Sequence, residues 1–303
     1  MYNSQLSHVR SSIKLFNIMG LILSIITTLA IFGSISQYTS LGTPDNAPQF
    51  AILIVALTLP CVANIYFTLI ILNFVKNSSD DELIANRYIL SVFSIGVQGI
   101  LTPFMLSNLP NIQVKDSSAR KNPKFVIGKH YGMAGFIISA ITASILALYA
   151  QQLGVLTDDS VLIMFYVLAG IGGISLISIP LFWLKSSEEA FANKTGIYSI
   201  QIAFSIIALV VATITVIWIM LMAVLRLLQN ISNAMQNRDN IFFFMLSLLM
   251  VFMSFWYVQF VWTICITTLK GIWTSPNSDI LDYQVYTKLD ERKQYEQEQK
   301  SNR

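Results

Sequence analysis

The chain has 303 residues, 54% of them hydrophobic and only 12% charged, with a formal net charge of +3 and a mean hydropathy of +0.62. A soluble domain carries about 25% charged residues, so a water-soluble fold is excluded: there is too little polar surface to cover the apolar side chains. The positive balance sits in loops and tails, without the basic, aromatic-interleaved patch that a nucleic-acid partner requires.

A membrane span needs roughly 20 mostly apolar residues. Seven runs meet that length, at approximately 15–36, 51–75, 88–109, 131–151, 161–184, 198–228 and 240–269. Arg10 and Lys14 precede the first run as in a signal peptide, but its apolar stretch is too long and no small-residue cleavage site follows, so it is expected in the mature chain. In the second run Pro60 withdraws a backbone donor, which predicts a kink. One turn on, Asn64 is a candidate for interhelical hydrogen bonding or for lining a cavity. The third run is the most polar, with Ser91, Ser94, Gln98, Thr102, Pro103 and Ser107, and is able either to cross or to re-enter. In the fifth, Gly170, Gly172 and Gly173 make a small-residue surface for close helix packing. The sixth and seventh runs exceed a bilayer core, so they tilt or protrude. They contribute Gln201 and Gln259, intramembrane amides of the same kind as Asn64 and Gln98. Cys61 and Cys265 lie inside apolar runs and read as buried structural thiols.

A repeat runs through this order. Gly20-Leu-Ile-Leu-Ser-Ile-Ile-Thr27 returns as Gly135-Phe-Ile-Ile-Ser-Ala-Ile-Thr142. Leu41-Gly42 with Asp45 returns as Leu153-Gly154 with Asp158 and Asp159. Lys76-Asn-Ser-Ser-Asp-Asp-Glu82 and Ala85-Asn86-Arg87 return as Lys185-Ser-Ser-Glu-Glu189 and Ala192-Asn193-Lys194. The fold class expected is an all-α integral membrane protein: an N-terminal segment at 1–13, a three-helix unit with a basic loop at 14–128, a second unit and connection at 129–239, a seventh transmembrane helix at 240–274 and a charged tail at 275–303. Ile280, Leu281, Val285 and Leu289 recur in the tail at near-helical spacing.

Topology meets two competing constraints. Lys and Arg mark the cytoplasmic side of short loops. If all seven runs cross, their counts near helix ends are nine against six, favouring an outside N-terminus; if the third does not cross, they are thirteen against two. Seven crossings is the reading preferred here, on length alone. The C-terminus is cytoplasmic in both arrangements, and small loops suit a bacterial cytoplasmic membrane.

Chemistry is sparse. His8 and His130 lack a second ligand at metal spacing. The clusters Asp80-Asp81-Glu82 and Glu188-Glu189 follow Ser-Ser pairs, as at helix starts. No Asp, Glu or Lys interrupts a run, which argues against a proton relay or an intramembrane hydrolase. The expectation is therefore a non-enzymatic accessory, assembly or scaffold module without metal or cofactor. Its partners would be the lipid bilayer, a protein docking on the C-terminal tail, or a second copy packed through the Gly-rich fifth helix. The alternative is a facilitator or pore for a neutral or lipophilic small solute.

Overall fold

The computed structural model describes residues 2–41, 47–98, 101–107, 109, 119–153, 156, 158–236 and 240–273; in a few helical stretches, including 96–98, only the backbone is described. The charged tail at 275–303 lies outside them. Every regular element among the described residues is helical: α1 (Tyr2–Leu41), α2 (Ala47–Asn77), α3 (Asp80–Ala85), α4 (Arg87–Gln98), α5 (Leu101–Ser107), α6 (Pro123–Leu153), α7 (Asp159–Phe182), α8 (Lys185–Asn193), α9 (Tyr198–Gln236) and α10 (Ile241–Trp273). Six of them, α1, α2, α6, α7, α9 and α10, are long and apolar enough to cross a membrane. The count differs from the seven expected because the third run is divided. α4 has 12 residues and α5 has 7, about 18 and 10 Å of helix against a hydrocarbon core of about 30 Å. Pro103 in the first turn of α5 has no N–H to offer a helix continuing from α4.

Side-chain contacts order the bundle. Arg10 near the start of α1 donates to the carbonyls of Val75 and Ser78, at 2.5 and 3.0 Å, and pairs with Asp80 at 2.6 Å. These bonds hold the first turns of α1 against the last turn of α2. Tyr66 and Phe67 of α2 meet His130 and Tyr131 of α6, while Ala51 and Ile54 share a cluster with Ile145 and Tyr149, so these two helices are also antiparallel. α6 opposes α7, with Gly132 against Ser178 and Gly172 against Ser139. In the last pair, Asn230 of α9 bonds Ser254 of α10, and Trp273 bonds Thr213 at 2.8 Å. Tyr88, at the start of α4, packs on Gly271, at the end of α10.

One end of the bundle thus gathers the start of α1, the α2–α3–α4 junction, residues 119–122, the start of α6, the α7–α8–α9 junction and the end of α10. The third run begins and finishes there. Arg87 donates to the Leu109 carbonyl at 3.4 Å. Buried Asn86 donates to the Ala119 carbonyl at 2.8 Å and accepts from the Lys121 amide at 2.9 Å. α4 and α5 are therefore the two arms of a helical hairpin. Leu90, Phe93 and Leu106 bury that hairpin in the largest apolar cluster, among α1, α2, α6, α9 and α10.

The two acidic clusters are helix starts. Ser79 caps α3 in a capping box, accepting from the Glu82 amide at 3.2 Å while Glu82 accepts from the Ser79 amide at 2.9 Å. Glu188 sits in the first turn of α8. Away from the core, large apolar side chains cover the outer faces of the spans, among them Tyr166 at 70% and Trp256 at 65% exposure. In water such a surface would aggregate; in lipid it costs nothing.

Candidate functional site

A polar seam lies within the membrane-spanning interior, between α1, α2 and α5. Its residues stand there because of helical spacing. Asn17 and Ser24 are seven residues apart on α1, and Asn64 and Thr68 four apart on α2, so each pair shares a face. All four are buried, as is Thr102 of α5. Asn64 donates to Ser24 Oγ and to the Gly20 carbonyl at 3.3 Å, and accepts from Thr68 Oγ1 at 3.1 Å. Asn17 donates to the Ile13 carbonyl at 2.7 Å and to Thr102 Oγ1 at 3.1 Å, which ties α1 to the hairpin. Two acceptor groups remain over: Asn17 Oδ1 and, further along α2, Thr58 Oγ1 are buried without a hydrogen-bond partner among the described residues. The seam consists of amides and hydroxyls. It contains no acid, base or strong nucleophile, so it is suited to holding neutral hydrogen-bonding groups rather than transferring protons.

A second cluster surrounds His130, nearer the loop-rich end. Its Nδ1 lies 3.3 Å from Tyr66 Oη, and Phe93 and Trp183 stand edge-on at 5.5 and 5.7 Å. Lys129 Nζ lies 4.6 Å from the Trp183 ring centre. This is an aromatic joint of α2, α4, α6 and α7. Among the described residues no group of three His, Cys, Asp or Glu is placed to hold a metal ion. At the opposite end, α9 and α10 enclose an open cleft of ≈ 430 Å³ lined by amides of α9, Asn230, Asn233 and Gln236, and by Phe243, Leu246, Ser247 and Met250 of α10.

The residues singled out from the sequence go to different places. Asn64 lies in the seam. Gln201 is fully buried and bridges three elements, donating to the Leu181 carbonyl of α7 at 2.7 Å and the Ser187 carbonyl of α8 at 2.8 Å. Gln259 is exposed on the outer face of α10. The Gln98 side chain lies outside the described residues. α2 continues as a helix through Pro60, whose ring faces outward. Gly172 packs on Ser139, whereas Gly170 and Gly173 open onto free space. Close helix approach also uses other glycines, Gly128, Gly132 and Gly135 of α6, set against Ser205, Ser178 and Ser175. Their spacing of four and three residues was readable from the sequence. Asn17 carried a weaker signal, because three residues from Lys14 it resembles the end of a span rather than its interior.

No protein-family model, curated protein or solved structure matches the chain. Its class rests on its own features: six long apolar helices, an apolar outer surface and polar groups gathered inside make it a polytopic α-helical membrane protein.

Proposed function

We propose that the chain crosses a bacterial cytoplasmic membrane six times with both described ends on the cytoplasmic side, that the α4–α5 hairpin re-enters from that side, and that the protein acts without enzymatic chemistry as a facilitator for a small neutral solute. The observation that carries this reading is the hairpin itself, half a bilayer deep and laid beside a neutral polar seam whose Asn17 Oδ1 has no partner among the described residues. Helices broken at membrane depth are tolerated where they are buried in protein or line a passage. Neutral lining groups suit a solute that brings no charge, and Asn17 Oδ1 offers it an acceptor.

Charge supports the sidedness. Arg10, Lys14, Lys76, Arg87, Arg120, Lys121, Lys124, Lys129, Lys185, Lys194 and Lys270 all belong to segments at the hairpin's open end, and Arg226 to the other half of α9. Among the described residues that is eleven against one, in line with the thirteen-to-two count of Lys and Arg that a non-crossing third run predicts from the sequence. The duplication fits as well. Ser24 opposes Asn64 between α1 and α2, and its repeat counterpart Ser139 opposes Gly172 between α6 and α7. Each unit then places a short helix, α3 or α8, at the same end, and the units diverge only afterwards, into a hairpin or the 39 residues of α9. Both units would therefore point the same way through the membrane.

Two measurements test the proposal. In liposomes of the purified protein, uptake of glycerol and urea should fall about tenfold on Asn17→Leu, the equivalent of losing one to two interhelical-strength bonds to the solute. No uptake, or uptake equal in the variant, would sink the facilitator. In intact cells an impermeant maleimide should label Asp159→Cys but reach Lys194→Cys only after lysis; the reverse pattern would overturn the sidedness.

A second reading, an accessory or assembly module, draws support from α10. Its most apolar 18-residue window has none of its residues buried inside the chain. A partner on the C-terminal tail belongs to this reading too.

A further inference from the structure

Two stripes at heptad spacing run along α10. Ser254, Val258, Val261, Cys265, Thr268 and Ile272 face the bundle; all are buried or half-buried. Met245, Leu249, Phe252, Trp256, Gln259 and Thr263 form the opposite stripe and are exposed. Spacing of four and three residues is the pattern by which two helices interlock at a shallow left-handed angle. The outer stripe therefore carries the same packing geometry as the inner one, with none of the described residues of this chain against it.

Gln259 is the only amide in that stripe. Thr263 donates to its backbone carbonyl at 2.9 Å, but its side-chain amide has no hydrogen bond among the described residues. It stands 11 residues, about 16 Å of helix, from Lys270 in the last turn, about half of a hydrocarbon core of about 30 Å, too deep for a side chain of its length to reach the headgroups. Acyl chains offer neither donor nor acceptor, and an unpaired amide in hydrocarbon costs several kcal/mol. An amide holds its donor and acceptor side by side, and another amide pairs with both at once.

We propose that α10 pairs with α10 of a second copy of this chain, across a two-fold axis near Gln259, with the two Gln259 amides bonded to each other. Two-fold pairing presents each residue of the stripe to the same stripe, so a single glutamine at mid-span satisfies itself. A polar residue at one position of an apolar heptad also fixes which register the two helices adopt. The inference is independent of the solute reading. It assigns self-association to α10 rather than to the glycines of α7, which present no polar group in need of a partner.

The test uses the full chain in liposomes, with Cys61→Ala and Cys265→Ala as background. Gln259→Cys and Trp256→Cys should form disulfide-linked dimers on oxidation, and Gly173→Cys should not. In a parallel series, energy transfer between chains labelled at Lys194→Cys should show the dimer dissociation constant rising about three- to tenfold in Gln259→Leu and changing little in Gln259→Asn. Leucine on a lipid-facing helix leaves the fold of the single chain intact, so loss of transfer reports pairing. Equal transfer in Gln259→Leu and the parent, a monomeric parent, or crosslinks at Gly173→Cys without any at Gln259→Cys would each overturn the proposal.

Discussion

Gly132→Leu is expected to lower the stability of the protein by about 3 kcal/mol or more, the upper range for forcing a side chain into a closed contact. A Cβ at Gly132 would fall on the side chain of Ser178, which is itself fully buried. Neither helix has slack nearby. Gly128 meets Phe182 and Ser205, and Gly135 meets Ser175, so α6 touches its neighbours through hydrogen atoms for two turns. A leucine can be admitted only by separating α6 from α7, which removes the packing that holds helices together in lipid. Denaturant unfolding in detergent micelles measures the loss. The milder Gly132→Ala should be largely rescued by Ser178→Gly, which vacates the space the methyl needs. An unaltered unfolding curve for Gly132→Leu would show that the two helices do not meet there.

Gln201→Met should cost about 2–3 kcal/mol. The swap keeps the length of the side chain and removes both donors, stranding the carbonyls of Leu181 and Ser187. An unsatisfied buried group costs about 1–3 kcal/mol. Part of that is returned, because Gln201 Oε1 is itself buried without a partner among the described residues and disappears in the variant. The residual effect should be local. Gln201 is the link from α9 to the end of α7 and the start of α8, so backbone amides between Lys185 and Asn193 should exchange with solvent faster, while those of α2 keep their protection. Uniform acceleration across the chain would mean that Gln201 supports the whole fold rather than this corner.

Local features of the fold were legible. Ser79 followed by Asp80, Asp81 and Glu82 spelled a capped helix start, and the capping box is present. Asn64 and Gln201 were marked as interhelical bonding groups by type and depth, and both bond across helices. The glycines were half legible. Small residues announce a close approach, but of the α7 glycines only Gly172 meets a neighbouring side chain among the described residues, while Gly128, Gly132 and Gly135 make the further contacts of α6. The reason is physical: α6 and α7 are apolar on all sides, so no amphipathic asymmetry marks which face meets protein and which meets lipid. Gln259 shows the same ambiguity from the other side. Nothing in its neighbours distinguishes an amide that bonds inward, as Gln201 does, from one left outside.

The third run was the hardest segment to place. Its length suggested a crossing; its polarity and the Lys and Arg counts suggested a return. The contacts of Arg87 with Leu109 and of Asn86 with Ala119 and Lys121 bring the two ends of the run together, which is what the proposed return requires. Composition alone determined that this chain belongs in a bilayer, because no aqueous fold can hide so many apolar side chains with so few charges. Hydropathy then determined where its long helices lie. Only the tertiary structure decided which ends meet and which amides are satisfied, because those depend on residues 22 to 35 positions apart in the chain, and an apolar core and an apolar solvent leave the same mark on a sequence.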